Sequence, residues 1–369
     1  MRRTVASFEV TSTAHLSPDG TPLGELPAFA TDADELVRMY RAMVFTRTYD
    51  AKAVALQRTG RIGTFGSSLG QEAVSVGVGS AMRDEDVLVP SFREQGAQFL
   101  RGVTPAELFF YWGGDERGSA FRHGPAVHDF PNCVPIGTQA AHATGAALAF
   151  QLRGEARVAV CVVGDGATSR GDVYESMNFA GVRGLPVVYV VNDNQWAISL
   201  PRGRQSATAT LAQKAIAAGI RGEQVDGNDV IAVRDVVGAA IERARRGEGP
   251  TLVECLTYRL TDHTTADDAS RYRSDAEVSE HWKEEPIVRL RSYLVSLGCW
   301  DRDHEEALLA DCAAEVDRGV TEYESAPPRD PVSIFEHLFE TLPDAYRSQR
   351  DALSRLDATG AMKGGDGDG

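Results

Sequence analysis

Acidic and amide side chains follow two apolar runs in the middle of the chain. The first run, 158–163, ends at the tripeptide G-D-G around Asp165, and the second, 187–191, ends at N-D-N, whose last residue is Asn194. Both runs are short and rich in valine, which is typical of strands buried on both faces of a parallel sheet. Ligands of such sheets bind outside the carboxyl ends of the strands. The sequence therefore predicts one crevice that contains both Asp165 and Asn194.

Oxygen atoms predominate among the candidate ligands in this crevice. Carboxylate and amide oxygens suit Mg²⁺ or Ca²⁺, and an ion held by only a few such ligands keeps coordination positions for phosphate oxygens. We predict a metal site formed by Asp165, Asn194 and a backbone carbonyl near Trp196. Such a metal ion would compensate part of the charge of a phosphate ligand in an acidic protein.

A phosphate group also needs partners from the protein. Gly164 and Gly166 permit a tight turn that brings a phosphate close to the backbone around Ala167 and to the amino end of the following helix. A third short apolar run ends just before Phe92 and Arg93, so these two residues also follow a strand end. We predict that both line the site and that Arg93 binds a diphosphate, with a solvated loop arginine as the alternative from the residues alone.

A long polar segment, 259–273, follows the predicted strand 251–256 and is rich in Thr, Asp and Ser. A loop of this kind after a buried strand is usually functional or disordered. Arg259 at its start and Arg273 at its end could close the loop over an anion. His263, in its middle, can exchange a proton near neutral pH.

These features resemble the alpha subunit of the heterotetrameric 2-oxo acid dehydrogenases, whose cofactor is thiamine diphosphate. The resemblance extends from about residue 34 to about residue 342. It depends on five motifs, each of which is a weak signal alone, but their occurrence together in the order found in the family is a strong one. The motifs are G-R-I-G-T-F at 60–65, S-F-R-E at 91–94, P-I-G-T-Q at 135–139, Q-V-D-G-N-D at 224–229 and H-T-T-A-D-D-A-S-R-Y-R at 263–273.

The resemblance implies thiamine diphosphate and Mg²⁺ as cofactors and assigns further roles. It implies that the backbone around Ile136 meets the aminopyrimidine and that His263 anchors the diphosphate and acts in acyl transfer to a lipoyl group. Thr264 stands where eukaryotic relatives carry a regulatory phosphoserine; threonine could accept a phosphate, but this position alone does not support a prediction of regulation. The chain departs from its relatives at Asp193, where they usually have Asn. We expect Asn194 to bind the metal and Asp193 to point away.

The expected fold is a three-layer α/β thiamine diphosphate-binding fold with a mostly parallel sheet and helical N- and C-terminal extensions. We predict an extended arm over 1–30, a diphosphate-binding α/β domain with C-terminal helices over 31–342, and a helix end with a flexible Gly/Asp tail over 343–369. Members of this superfamily use a second, similar domain that supplies a glutamate to the aminopyrimidine. Only one set of signals is present here, so the resemblance implies a beta subunit, commonly in an α2β2 tetramer. It also implies a lipoyl-bearing dihydrolipoamide acyltransferase as acyl acceptor.

Composition excludes several other classes of protein. The formal net charge of −15 over 369 residues argues against nonspecific nucleic-acid binding and against an anionic membrane surface. The five cysteines are scattered without a C-x-x-C pair, which favours a reducing compartment. Neither a signal peptide nor an apolar run of roughly 18 residues is recognisable. We expect a cytoplasmic protein whose partners include neither nucleic acid nor membrane.

Two rival functions and the choice of substrate stay open at this point. An isolated G-D-G is most often a plain strand-to-helix turn, and a magnesium-dependent nucleotide-binding enzyme is a rival, although Ser169 replaces the third glycine of a dinucleotide fingerprint. A noncatalytic scaffolding subunit is the second rival. The 263–273 motif looks closer to branched-chain members and the 164–181 region to bacterial pyruvate members. We favour pyruvate as the small-molecule 2-oxo acid, with a branched-chain 2-oxo acid or acetoin dehydrogenase as the alternative.

Overall fold

The computed structural model describes residues 1–356 of the chain. They separate into two compact units, one of residues 1–320 and one that begins at Thr321. The first unit contains the main sheet and every predicted site residue. The predicted boundaries after residues 30 and 342 stay predictions, and the predicted flexible tail includes residues 357–369, which lie outside the described part.

The described residues form eight strands. They are β1 (Ser12–Thr13), β2 (Val87–Val89), β3 (Ala159–Gly164), β4 (Val187–Asp193), β5 (Trp196–Ala197), β6 (Leu200–Pro201), β7 (Arg221–Asp226) and β8 (Thr251–Leu256). Six of them form a sheet in the order β1-β7-β8-β4-β3-β2, in which all neighbouring strands are parallel. Strands β5 and β6 form a separate antiparallel hairpin. The predicted, mostly parallel sheet is thus confirmed.

Twelve α-helices accompany these strands in the described part of the chain. They are α1 (Ala33–Arg58), α2 (Glu72–Ala81), α3 (Gln95–Leu100), α4 (Pro105–Trp112), α5 (Thr138–Arg153), α6 (Gly171–Arg183), α7 (Lys214–Ala217), α8 (Val230–Arg245), α9 (Asp275–His281), α10 (Pro286–Ser296), α11 (Arg302–Ser325) and α12 (Asp344–Leu353). Within residues 1–356, no helix combines the length and the hydropathy needed to cross a membrane.

Helices cover both faces of the sheet because its central strands are apolar on both sides. Alternate residues of a strand point to opposite faces. In β3, Ala159, Cys161 and Val163 pack in the cluster that contains α5 and α6, whereas Val160 and Val162 pack in the cluster that contains α2 and α8. This arrangement confirms the predicted three-layer α/β fold.

Helices α1 and α5 show how local sequence determines a helix start and a packing face. The Asp32 side chain accepts hydrogen bonds from the backbone N–H groups of Asp34 and Glu35, which are donors that the first turn of α1 would otherwise leave free. The alanine-rich helix α5 buries Ala140 and Ala143 completely against the sheet. Small side chains on this face allow the close approach of helix and strand.

The extended arm contributes an edge strand that the sequence does not predict. Strand β1 pairs in parallel with β7, and the N–H groups of His15 and Leu16 donate to Asp229 Oδ2 at 2.7 and 2.6 Å. The other carboxylate oxygen of Asp229 accepts from the N–H groups of Ile231 and Ala232 at the start of α8. One buried carboxylate therefore fixes both the arm and a helix terminus.

The register of the central strands determines the position of the site. Gly164, the last residue of β3, lies opposite Asn192 of β4. Because the strands are parallel, Asp165 and Asn194 leave the same edge of the sheet from neighbouring strands. This is the carboxyl edge, at which ligands of open α/β sheets bind.

Candidate functional site

A cavity of about 220 Å³ lies at the carboxyl edge of β3 and β4. Ten of the eleven residues that the sequence predicts for the site line it. They are Phe92, Arg93, Ile136, Gly164, Asp165, Gly166, Ala167, Asn194, Trp196 and His263. The structure therefore brings together residues from segments up to 171 positions apart, as counted from Phe92 to His263.

Asp165 begins a short 3-10 turn directly after β3 and is only 3% exposed. Its Oδ2 atom accepts a hydrogen bond from Gln205 Nε2 at 2.8 Å. Burial raises the pKa of the Asp165 carboxyl group, while the Gln205 hydrogen bond acts in the opposite direction. The neighbouring glycine is required by close packing, because a Cβ atom at Gly166 would lie 2.8 Å from Ala197 Cβ.

Asn194 is held in one amide orientation by Gln71. Its Nδ2 atom donates to Gln71 Oε1 at 2.8 Å, and its Oδ1 atom accepts only a long hydrogen bond of 3.3 Å from the Trp196 N–H group. The Trp196 carbonyl oxygen accepts from Arg259 Nη1 at 3.1 Å. A carbonyl oxygen has two lone pairs, so the oxygens of Asn194 and Trp196 both keep capacity for a cation.

Asp193 does not line the cavity. It is fully buried, accepts a weak hydrogen bond from the N–H group of Gln195, and lies 3.6 Å from Arg202 Nε. Burial, together with the nearby carboxyl groups of Asp165 and Glu254, raises the pKa of Asp193 to about 8. Its side chain therefore lies among buried carboxyl groups outside the lining of the cavity, and its orientation relative to a bound metal ion stays a prediction.

Arg93 is a buried cation whose partners are almost all neutral. Its side chain is 5% exposed, and it donates to the carbonyl oxygen of Ser67 and, at 2.7 Å, to that of His263. Its Nη2 atom also lies 3.2 Å from His263 Nδ1. Burial, and then the charge of Arg259, lower the pKa of Arg93 to about 10. In the described residues this guanidinium group forms no ion pair with a carboxylate.

His263 lies between two guanidinium groups. Burial, followed by the charges of Arg93 and Arg259, lowers the pKa of its imidazole to about 4. The ring is therefore neutral at neutral pH. An arginine can only donate a hydrogen bond, so Nδ1 is the acceptor towards Arg93 and Nε2 carries the proton.

Arg259 is the one predicted site residue that does not line the cavity. It is completely buried behind the cavity, where its guanidinium donates to the carbonyls of Trp196 and Ile198 and to Tyr272 Oη. Arg273 donates to the carbonyls of Arg259 and Thr261. In this structure the two arginines fix the loop through its backbone, and neither lines the cavity.

Six further residues line the cavity without having been singled out for the site. They are Gln71, Ser91, Glu94, Asn192, Ala197 and Ile198. Three of them belong to sequence motifs that also contain predicted site residues: Ser91 and Glu94 belong to S-F-R-E, and Asn192 belongs to N-D-N. Membership of these motifs is the sequence signal that could have identified them. Gln71 has no local signal, because its role depends on contact with Asn194.

The cavity contains polar atoms that have no partner within the protein. Gln71 Nε2 and Asn192 Oδ1 are buried and make no hydrogen bond. Glu94 is almost completely buried, and burial raises the pKa of its carboxyl group to about 7. Within residues 1–356 no cluster of three or more His, Cys, Asp or Glu residues could hold a metal ion. The predicted oxygen set has a single acidic residue and would not form such a cluster.

Comparisons with known proteins agree with this arrangement. The family described as "Dehydrogenase E1 component" matches residues 40–332. The chain is 42% identical over 342 residues to "3-methyl-2-oxobutanoate dehydrogenase subunit alpha" of Mycobacterium tuberculosis, covering 92% of each chain. It is 38% identical to "Pyruvate dehydrogenase E1 component subunit alpha" of Acholeplasma laidlawii, covering 86% of this chain and 92% of the relative. The protein of the same name from Staphylococcus aureus is also 38% identical, over 86% of this chain and 85% of its own length. With a family match over most of its length and relatives that cover nearly all of it, the chain belongs to the dehydrogenase E1 component family.

Proposed function

We propose that this chain is the alpha subunit of a thiamine diphosphate-dependent 2-oxo acid dehydrogenase. Its reaction is the decarboxylation of a 2-oxo acid, followed by transfer of the remaining acyl group to the lipoyl group of a partner acyltransferase; the lipoyl disulfide is reduced as the acyl carbon is oxidised. The family and the names of the relatives support this activity. The cavity at the carboxyl edge of the sheet is the proposed cofactor site.

One observation carries the proposal: a cation site and an anion site occupy the same cavity. Asp165, Asn194 and the Trp196 carbonyl provide oxygen ligands for Mg²⁺. Arg93 provides a buried positive charge that no carboxylate in the described residues pairs with. Leaving a buried charge uncompensated is costly. A metal-bound diphosphate would satisfy both requirements.

The polar atoms of the cavity fit such a ligand. Gln71 Nε2 is an unused donor, suited to a phosphate oxygen, and Asn192 Oδ1 is an unused acceptor, suited to a metal-bound water or an N–H group. Asp165 and Asn194 would hold the metal ion, and Arg93 would bind and orient the diphosphate. When bound, thiamine diphosphate supplies the carbanion that attacks the 2-oxo acid. His263 presents the Nε2 proton, which it can donate to an acceptor in the cavity.

The size of the cavity supports a second subunit. Pockets that enclose a ligand of cofactor size usually have volumes of roughly 300–1,000 Å³, whereas this cavity has about 220 Å³. This volume supports a site that a second chain completes. We infer that a beta subunit forms the remaining wall and supplies the glutamate for the aminopyrimidine, and that the assembly is an α2β2 heterotetramer.

Pyruvate and 3-methyl-2-oxobutanoate are the two candidate substrates, since the relatives are named for one or the other. The experiment that separates them is co-expression with the beta subunit, followed by steady-state rates with both acids and a lipoyl domain. A kcat/KM that is at least about 10-fold higher for one acid, equivalent to ~1.4 kcal/mol in transition-state binding, would assign the substrate. Failure of both acids to react would contradict the proposed activity.

Two binding experiments test the cofactor assignment against the rival functions. Calorimetry of the complex should detect binding of thiamine diphosphate in the presence of Mg²⁺ and no binding of ATP or NAD. Binding of ATP or NAD without binding of thiamine diphosphate would identify a nucleotide-binding enzyme. Asp165→Ala should abolish activity of the complex. Retained activity would identify a scaffolding subunit.

We also propose a cytoplasmic location, without nucleic-acid or membrane partners. All five cysteines are unpaired, which supports a reducing compartment. The net charge of −15 disfavours association with polyanionic surfaces. Fractionation of cells that express the tagged chain tests this location.

A further inference from the structure

The segment 195–206, here called the hairpin segment, consists of strands β5 and β6 and a following 3-10 turn, Arg202–Arg204. It contains the only two non-glycine residues with positive φ in the described part of the chain, Gln195 at 71° and Ile198 at 55°. A left-handed conformation is unfavourable for any L-residue and especially for a β-branched one. Such a conformation persists only when surrounding contacts impose it, and it is concentrated at functional sites.

Buried contacts impose this conformation. Arg259 donates to the carbonyls of Trp196 and Ile198 at 3.1 and 2.9 Å, which fixes the first strand of the hairpin. The N–H group of Arg202 donates to the Gln195 carbonyl at 2.8 Å and closes the segment on itself. The hairpin segment is therefore held rigidly relative to β4 and the loop that contains His263.

Gln205, at the end of this segment, lies against Asp165. Its Nε2 group donates to Asp165 Oδ2 at 2.8 Å and to the Leu200 carbonyl at 3.0 Å. Both hydrogens of the amide are thus used, and rotation of the amide would place its oxygen against two acceptors. The contact between Gly166 and Ala197 packs the Asp165 turn against the same hairpin. The orientation of the carboxylate is therefore determined by a group outside the strand that carries it.

We propose that Gln205 is a positioning residue for the metal site: it occupies Oδ2 of Asp165 and leaves Oδ1 for the cation. This inference rests on the proposed function. A neutral donor suits the task, because it fixes the carboxylate without adding a positive charge that would repel Mg²⁺. Partners of this kind orient the ligands of metal sites, and their loss usually weakens metal binding by about 10–100-fold.

The test measures metal affinity instead of turnover. Gln205→Met keeps the length of the side chain and removes the amide. In the full-length complex with the beta subunit and thiamine diphosphate, free Mn²⁺ is followed by electron paramagnetic resonance during titration. Gln205→Met should bind Mn²⁺ at least about 10-fold more weakly than the parent complex. Gln349→Met, a change of the same kind at an exposed position of α12, should bind it with unchanged affinity.

Two further measurements separate the possible outcomes. Thermal unfolding in EDTA should give the same midpoint for Gln205→Met and the parent; a lowered midpoint together with weakened binding would indicate a structural role and overturn the proposal. Unchanged Mn²⁺ affinity in Gln205→Met, with binding lost in Asp165→Asn, would overturn this inference alone. Unchanged binding in Asp165→Asn would instead contradict the metal site of the proposed function.

Discussion

At the scale of single residues, the candidate site places a histidine ring among buried charged groups. Arg93 and Arg259 both lie beside the His263 ring, and both are buried. A like charge nearby and burial each disfavour the imidazolium form, so the imidazole stays neutral. The sign of the local potential would change on binding of a diphosphate, and the protonation of His263 is therefore coupled to ligand binding.

The pKa of His263 should report this coupling. In the chain without ligand, NMR titration should give a pKa near 4, and binding of thiamine diphosphate should raise the pKa because the anion stabilises imidazolium. The folded-state pKa lies below the usual value of 6.5. The contribution of the neutral ring to stability is therefore present above pH 6.5 and lost as the pH falls from 6.5 to 4.

Replacement of the ring provides the control for this prediction. His263→Gln should show a smaller loss of unfolding free energy over that pH interval than the parent chain. A ring that titrates near 6.5 in the absence of ligand would show that the two guanidinium groups do not act on it.

Arg93→Lys should weaken binding of thiamine diphosphate by about 10-fold or more. A lysine keeps the charge but lacks the planar fork that reaches the carbonyls of Ser67 and His263 together. Hydrogen bonds to charged groups contribute roughly 1.5–3 kcal/mol each. Calorimetry with thiamine diphosphate and with thiamine compares the two ligands, and thiamine affinity should not change.

Arg204→Lys, at an exposed position of the hairpin segment, is the matched control and should bind as the parent does. Equal weakening in both variants would indicate a general loss of positive potential and not a specific contact of Arg93.

At the scale of secondary-structure elements, aspartate side chains cap the amino ends of two helices, α1 and α8. Asp32 caps α1 at an exposed position, whereas Asp229 caps α8 from a fully buried one and also accepts from the arm. The two positions share the same local role. They differ in the number of buried donors that depend on them.

Asp229→Ala should therefore cost more stability than Asp32→Ala. Loss of an ordinary cap costs about 0.5–2 kcal/mol, and each buried donor left without a partner adds about 1–3 kcal/mol. We expect ~1 kcal/mol for Asp32→Ala and at least ~2 kcal/mol for Asp229→Ala in urea unfolding. Limited proteolysis should also cut the arm faster in Asp229→Ala; equal losses of stability would show that the arm contacts contribute little.

At the scale of the whole molecule, the chain presents one part of a cofactor site. The cavity contains the residues proposed to bind the metal ion and the diphosphate, and its volume of about 220 Å³ is below the roughly 300–1,000 Å³ of most ligand pockets. Of the predicted residues that line the cavity, Ile136 is the one for which the resemblance implies contact with the aminopyrimidine. The proposed partner subunit therefore completes the same site and does not form a separate one.

The purified chain alone should not decarboxylate pyruvate or 3-methyl-2-oxobutanoate. Activity should appear when the beta subunit is added, because the glutamate that acts on the aminopyrimidine is expected there. Chelation of Mg²⁺ by EDTA should abolish that activity, and added Mg²⁺ should restore it. Turnover by the isolated chain would contradict the division of the site between two subunits.

Much of the architecture follows from local sequence. Short apolar runs predict β2, β3, β4 and β8, and Asp32 is recognisable as a helix cap. Since β3 and β4 are neighbours in a parallel sheet, the residues that follow them meet at one edge. The two apolar runs and the polar residues after them are therefore sufficient to place Asp165 and Asn194 in one site.

Only the tertiary structure decided the partners of those residues. Gln71 orients Asn194 from 123 positions away, and Arg93 contacts His263 across 170 positions. The tertiary structure also places Arg259 behind the cavity, where it donates to the Trp196 carbonyl; its predicted role in cofactor binding stays a prediction. The periodicity of apolar residues and the position of turn residues determine a helix, strand or turn from residues that are close together in the sequence. Contacts between side chains that are far apart in the sequence depend on how the helices and strands pack against each other. A local sequence pattern carries no information about that packing.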